Sequence, residues 1–122
     1  MKKILLLTLL SAIFPLSSYA ETTEIFKGSK YIAEITSYCE EGNIYCKNVT
    51  LISKSIKTKQ TIKLKGETVN INCPETCDFR GYTFKNKNYT YTLLSDNHQL
   101  NKWNYIIMEN DKIISEDHGV IE

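Results

Sequence analysis

Apolar residues recur at every second position almost from one end of the chain to the other, and the 3.6-residue period of a helix is hard to find. In YIAEITSYC the odd positions Tyr31, Ala33, Ile35, Ser37 and Cys39 form one face, while Ile32, Glu34, Thr36 and Tyr38 form the other. The odd face is the one expected to look inward. QTIKLKGETVNINC gives Ile62 and Leu64, then Val69, Ile71 and Cys73, with Lys63, Lys65, Thr68 and Asn70 facing away. Gly66 lies between these two runs, which predicts a hairpin there. Further on, the aromatic and β-branched stretches 79–85 and 88–94 are separated by Asn86-Lys87. The polar SDNHQ, the strand KWNYIIME, the turn Asn110-Asp111 and the returning strand KIISE complete the pattern. Across 46–54, Val49 and Leu51 keep one phase and Cys46 the other, which a bulge near Asn48 reconciles. TEIFKG adds a short edge strand. The fold expected is all-β: a small antiparallel meander of about eight short strands, closing into a barrel or a two-layer sandwich.

The segment MKKILLLTLLSAIFPLSSYA has the layout of a secretory signal: Lys2 and Lys3, an apolar run from Ile4 to Leu16, then small residues around Ser18-Tyr19-Ala20. Its thirteen apolar-run residues fall short of the roughly 20 that a membrane-crossing helix needs. Residues 1–20 are therefore expected to be a signal peptide cleaved after Ala20, and 21–122 a single β domain that is periplasmic or secreted. No transmembrane segment is expected in the mature chain.

Export bears on the four cysteines, because paired thiols persist as disulfides in an oxidising compartment. Cys39 and Cys46 lie at equal distances from Gly42-Asn43, so a hairpin turning there sets them opposite each other. Cys73 and Cys77 flank the turn segment Pro74-Glu75-Thr76. The expected bridges are Cys39–Cys46 and Cys73–Cys77, among the three connectivities that four cysteines allow. Spacings of C-x6-C and C-x3-C are not zinc knuckles. A dithiol enzyme would need C-x-x-C over a helix start.

Removal of Lys2 and Lys3 leaves thirteen basic residues against fourteen acidic ones. Such a balance does not favour nucleic acid, which calls for a clearly basic domain. The charge is unevenly placed, however. Between Gly42 and Gly66 there are six lysines and no acid, while 109–122 carries five acids against Lys112 alone. No nucleophile elbow, phosphate loop, dinucleotide fingerprint or calcium loop occurs. His98 in SDNHQ and His118 in EDHG stand in turn-like contexts, with Asp96 and Asp117 as the acids that could orient them. Solvated loop histidines are the simpler account of both. No catalytic residue, metal ligand or cofactor is expected, and the protein is expected not to be an enzyme.

Surface binding is what remains. Lys54, Lys57, Lys59, Lys63 and Lys65 form the electropositive candidates, and Tyr82, Tyr89, Tyr91 and Trp103 the aromatic anchors of the kind that dominate protein interfaces. In size and style, as an exported β-protein clamped by disulfides, the chain resembles the small periplasmic lysozyme inhibitors, which implies a protein-binding role. No inhibitory loop motif aligns residue by residue. The leading expectation is an exported, non-enzymatic binding protein of the bacterial envelope that recognises another protein, as an inhibitor or immunity factor against an enzyme in that compartment. The alternative is an envelope structural or carrier module whose barrel mouth or lysine patch holds an anionic lipid, glycan or peptide. A small hydrolase using His98 or His118 ranks third.

Overall fold

The structure, a computed structural model, describes residues 19–40, 43–96, 99 and 101–122. Most of the expected signal segment, Gly42 of the first expected turn, and His98 lie outside them. Eight strands follow in chain order: β1 (Tyr19–Gly28), β2 (Tyr31–Glu40), β3 (Val49–Ser55), β4 (Thr61–Ile71), β5 (Asp78–Asn86), β6 (Tyr89–Ser95), β7 (Lys102–Glu109) and β8 (Lys112–Ile121). Each pairs antiparallel with the next, and β8 returns to β1, so the meander is a closed barrel rather than a sandwich. Among the described residues no helix is long and apolar enough to cross a membrane.

The alternation sorts residues as a closed barrel requires, one face in and one out. Ala33 and Ile35 of β2, Val49 and Leu51 of β3, Phe84 of β5, Leu93 of β6 and Tyr105 of β7 fill the interior with Phe26 of β1. Complete burial of the larger aliphatic side chains and phenylalanines among these stabilises by roughly 1.5–3 kcal/mol each. The odd face of β2 looks inward as its pattern predicts, but Thr36 of the other face is buried as well, bonded to Thr23 of β1. The Asn110-Asp111 turn is also where expected, with both residues at positive φ (49° and 71°), the twist that a two-residue hairpin favours. Its neighbour is displaced by one residue, to Lys87-Asn88.

Three expectations are corrected. Gly66 does not turn a hairpin but lies within β4, at the residue where that strand pairs with both Val49 of β3 and Phe84 of β5. A Cβ there would collide with the Thr83 carbonyl and the Phe84 ring, so glycine marks a close approach of strands. The even phase then continues inward to Thr68, and Ile71 faces out. TEIFKG is no edge, since it belongs to β1, which pairs with β2 and β8. Finally, Cys46 to Asn48 form a connection rather than a bulge, with β3 starting at Val49. Register shifts occur instead at Val69/Asn70 in β4 and Ile107/Met108 in β7.

The barrel closes on a short seam. Phe26, Lys27 and Gly28 pair with Ile121, Val120 and Gly119, and Ile25 exchanges backbone hydrogen bonds with Glu122. Gly28 and Gly119 face each other there. A Cβ on Gly28 would strike the Asp117 carboxylate, and one on Gly119 would strike the Lys27 carbonyl. The glycines thus let Asp117, 1 % exposed, lie over the β1–β2 turn. Its Oδ2 accepts from the backbone N–H groups of Lys30 (2.8 Å) and Tyr31 (3.0 Å). Its Oδ1 accepts from the Ser29 amide (3.1 Å), the Ser29 hydroxyl (2.9 Å) and the His118 amide (2.9 Å).

Burial opposes the charge on Asp117, but the amides of Lys30, Tyr31 and Ser29 and the Ser29 hydroxyl outweigh it and hold the carboxyl below the ordinary aspartate value. With the folded value below the unfolded one, this contribution is complete above the ordinary aspartate range and is lost as pH falls through the folded value. Asp117→Ala leaves three turn amides without their acceptor and is expected to cost about 3 kcal/mol at neutral pH in urea unfolding. The gap between wild type and variant should narrow below about pH 4. A gap that widens on acidification would contradict this assignment.

Candidate functional site

The two ends of the barrel are chemically different. At one, the connections are the turns 29–30, 56–60, 87–88 and 110–111; at the other, they are the longer 41–48, 72–77 and 96–101. Both disulfides clamp the second end. Cys39–Cys46 and Cys73–Cys77 form as the spacing predicts, with Cα separations of 5.8 Å and 4.1 Å. The expected geometry of the first is corrected, because the β2–β3 register ends at Ser37–Val49. Cys39 faces Ala20 of β1, and Cys46 reaches it from the connection. Two disulfides are compatible with an oxidising compartment.

Polar side chains tie the two cystine loops together. Asn70 of β4 donates through Nδ2 to the carbonyls of Ile44 and Cys77, both at 3.2 Å. Thr68 accepts from the Cys46 amide at 3.0 Å, and its own amide donates back to the Cys46 carbonyl at 2.9 Å. In the second loop, Asn72 and Thr76 donate to Asp78 (3.1 and 2.9 Å) and hold its carboxyl below the ordinary value. Backbone that would otherwise wander is thereby held from three directions.

Inside this frame sits an aromatic stack. The rings of Tyr82 and Trp103 lie 6.1 Å apart at 17°, and Phe79 meets Tyr82 edge-on at 5.2 Å. The Tyr82 hydroxyl donates to Glu24 Oε1 at 2.6 Å. Burial first, then the Glu24 bond and charge, push this phenol up, with Ser37 opposing, so Tyr82 is a proton donor to Glu24 throughout the neutral range. A cavity of about 480 Å³ opens here between Glu24, Ser37, Glu40, Thr68, Phe79 and Tyr82. At its lip Ile44 is 61 % and Phe79 48 % exposed. Tyr45 and Ile71 extend the apolar surface, with the Tyr45 hydroxyl donating to Glu67 at 2.6 Å.

Glu24 and Glu40 line the cavity, and Glu21, Glu67, Glu75 and Asp78 stand on the strands and connections of this end, outnumbering Arg80 of β5 and Lys102 of β7. Lys47, 5.8 Å from the Tyr45 ring centre, is the one lysine in the described parts of these connections. Acid beside aromatic faces suits a cationic group, which gains both from the carboxylates and from the ring quadrupoles.

The residues singled out from sequence do not form one surface. Lys54, Lys63 and Lys65 are exposed on the outer wall of β3 and β4, and Lys57 and Lys59 sit in the 56–60 turn at the opposite end. Tyr89 and Tyr91 line the opposite mouth. Tyr82 and Trp103 come together in the stack, but at 6 % and 8 % exposure they support Phe79 rather than present themselves. Glu24, Glu40, Ile44 and Phe79 were not anticipated. The available signal was the apolar pair Ile44-Tyr45 inside a cystine loop, where polar turn residues are the norm.

His118 is not in a turn but in β8, exposed, with its ring bonded to the Asn104 side chain. Asp117 faces the barrel interior and does not orient the imidazole. Among the described residues, no group of three or more histidine, cysteine or carboxylate side chains could hold a metal ion. No protein-family model matches the chain, and no curated protein or solved structure is significantly similar to it.

Clamping by so short a loop acts mainly on the unfolded chain. Cys73→Ser with Cys77→Ser is expected to lower stability by about 2 kcal/mol on the chain-entropy account, measured by urea unfolding. The barrel, whose core does not include these residues, should keep its strand spectrum in far-UV circular dichroism.

Proposed function

We propose that the protein is an exported, non-enzymatic binding protein of the bacterial envelope whose disulfide-clamped end docks a protein partner. The partner's matching surface carries a basic side chain beside an apolar patch, which fits an inhibitor or immunity role against an enzyme of that compartment. One observation carries this reading: both disulfides, the most exposed apolar side chains of the connections and a cluster of carboxylates share one end of the barrel.

The physical argument is one of preorganisation. Ile44 and Phe79 stand on backbone held by cystines and by Asn70, so docking orders little further chain, and that is the main entropic cost of such interfaces. A lysine or arginine entering beside Glu40, Glu24 and the exposed Phe79 ring would supply a central contact. Ile44 and Tyr45 would exclude water around it. The surrounding acids would steer a basic partner at a distance and screen with salt.

The test is capture of envelope proteins on immobilised mature protein, with identification of what is retained and titration of that partner against variants. Ile44→Asp and Phe79→Ala are each expected to weaken the identified partner at least tenfold, about 1.4 kcal/mol. Lys63→Glu with Lys65→Glu, on the wall, should bind as wild type does. Loss of binding in the wall variant, or a partner indifferent to Ile44 and Phe79, would refute the assignment.

A further inference from the structure

The opposite mouth of the barrel has its own chemistry, and it does not depend on the protein-partner reading. A cavity of about 330 Å³ enters the barrel there between the rings of Tyr31, Tyr89, Tyr91 and Tyr105 and the side chains of Ile62 and Ile107. Its size falls at the lower end of small-molecule sites, and eight-stranded barrels are just wide enough to hold one small ligand. Tyr105 forms the floor: fully buried, edge-on to Tyr31 at 5.1 Å, its hydroxyl donating to Ser53 at 2.9 Å. The Tyr31 hydroxyl is likewise engaged, 3.0 Å from the Ser115 hydroxyl.

Tyr89 and Tyr91 differ. Both line the cavity, and among the described residues none hydrogen-bonds either phenol. Partial burial, then the neighbouring Tyr89 and Tyr31, push the Tyr91 phenol up, so it keeps its proton and remains a donor. No charged side chain lines the cavity. Charge appears at its rim instead. The four turns at this end carry Lys30, Lys57, Lys59 and Lys87, all exposed, against Asp111 and against Glu109, which accepts from Asn88 beside Lys87. Lys57 and Lys59 flank Thr58, a lining residue, and Lys87 stands two residues before Tyr89.

Aromatic walls, hydroxyl donors, an uncharged interior and a cationic rim specify a ligand in two parts. We propose that this mouth binds a small organic anion, with its flat ring body between the tyrosines and its carboxylate, phosphate or sulfonate at the lysine-bearing turns. The ring body gains from burial against Tyr31, Tyr91 and the isoleucines. The anionic group stays near water, where the lysines attract it without the cost of burying an ion.

Two fluorescent probes separate the parts on the intact mature protein: 8-anilinonaphthalene-1-sulfonate, a ring body with an anionic group, and N-phenyl-1-naphthylamine, a closely related body without one. The sulfonate is expected to bind one saturable site with blue-shifted emission. Lys57→Glu with Lys59→Glu and Lys87→Glu should weaken it at least tenfold and leave the neutral amine within twofold. Ser55→Trp, which fills the lining, should abolish both. If Ser55→Trp fails to fold by circular dichroism, Thr58→Trp in the exposed turn serves in its place. Absence of saturable binding would overturn the proposal. So would sulfonate binding that survives the tryptophan, or a charge reversal that weakens both probes alike or neither.

Discussion

Asp117 is the interaction on which the barrel's closure turns. Seven of the eight strand seams join neighbours in sequence and could form as hairpins without reference to the rest of the chain. The eighth brings together residues nearly the whole domain apart, and it has only three ladder pairs to do so. Closing so long a loop carries an entropic cost that short-range seams escape. The Asp117 carboxylate offsets it by binding three successive amides across 86 to 88 residues, in a pocket that two facing glycines leave open. A charge fully surrounded by donors is tolerable in the interior where an unpaired one would not be.

Much of this architecture is legible in the sequence because burial on one face imposes alternation. Ala33 and Ile35, Val49 and Leu51, and Trp103, Tyr105 and Ile107 show their inward phase directly. The cystine pairings follow from spacing, and the Asn110-Asp111 turn from residues that tolerate positive φ. What is illegible lies where the inward phase is not apolar. In β8 the inward positions are Ser115, Asp117 and Gly119, so EDHG looks like a turn although it is strand. In β4 the inward phase passes through Gly66 to Thr68 while Val69 and Ile71 take the other face, so one strand reads as two. A polar residue turned inward announces itself only through a partner distant in sequence, and no local pattern reveals that partner.

The candidate sites were less legible for the same reason. Exposed lysines and tyrosines are visible as composition, but the end of the barrel on which each one stands depends on strand direction. Once the meander is traced, the lysines of the turns separate from the acids around the cystine loops, and the molecule has a basic end and an acidic end. The aromatic residues divide likewise. Phe79, Tyr82 and Trp103 stack at the acidic end, and Tyr31, Tyr89, Tyr91 and Tyr105 line the basic one. Net charge near zero conceals this polarity entirely. A single packed core runs between the two ends, from Tyr82 and Trp103 at one through Phe26, Leu51, Phe84 and Leu93 to Tyr105 and Ile107 at the other.

The most direct measurement is hydrogen exchange at the Lys30 and Tyr31 amides. Both belong to the tip of a surface hairpin, where exchange is ordinarily fast. Donation to a buried carboxylate predicts protection comparable to that of the β7 core amides, lost when Asp117 is replaced. Exchange of these two amides at unprotected loop rates in the wild-type protein would contradict the account.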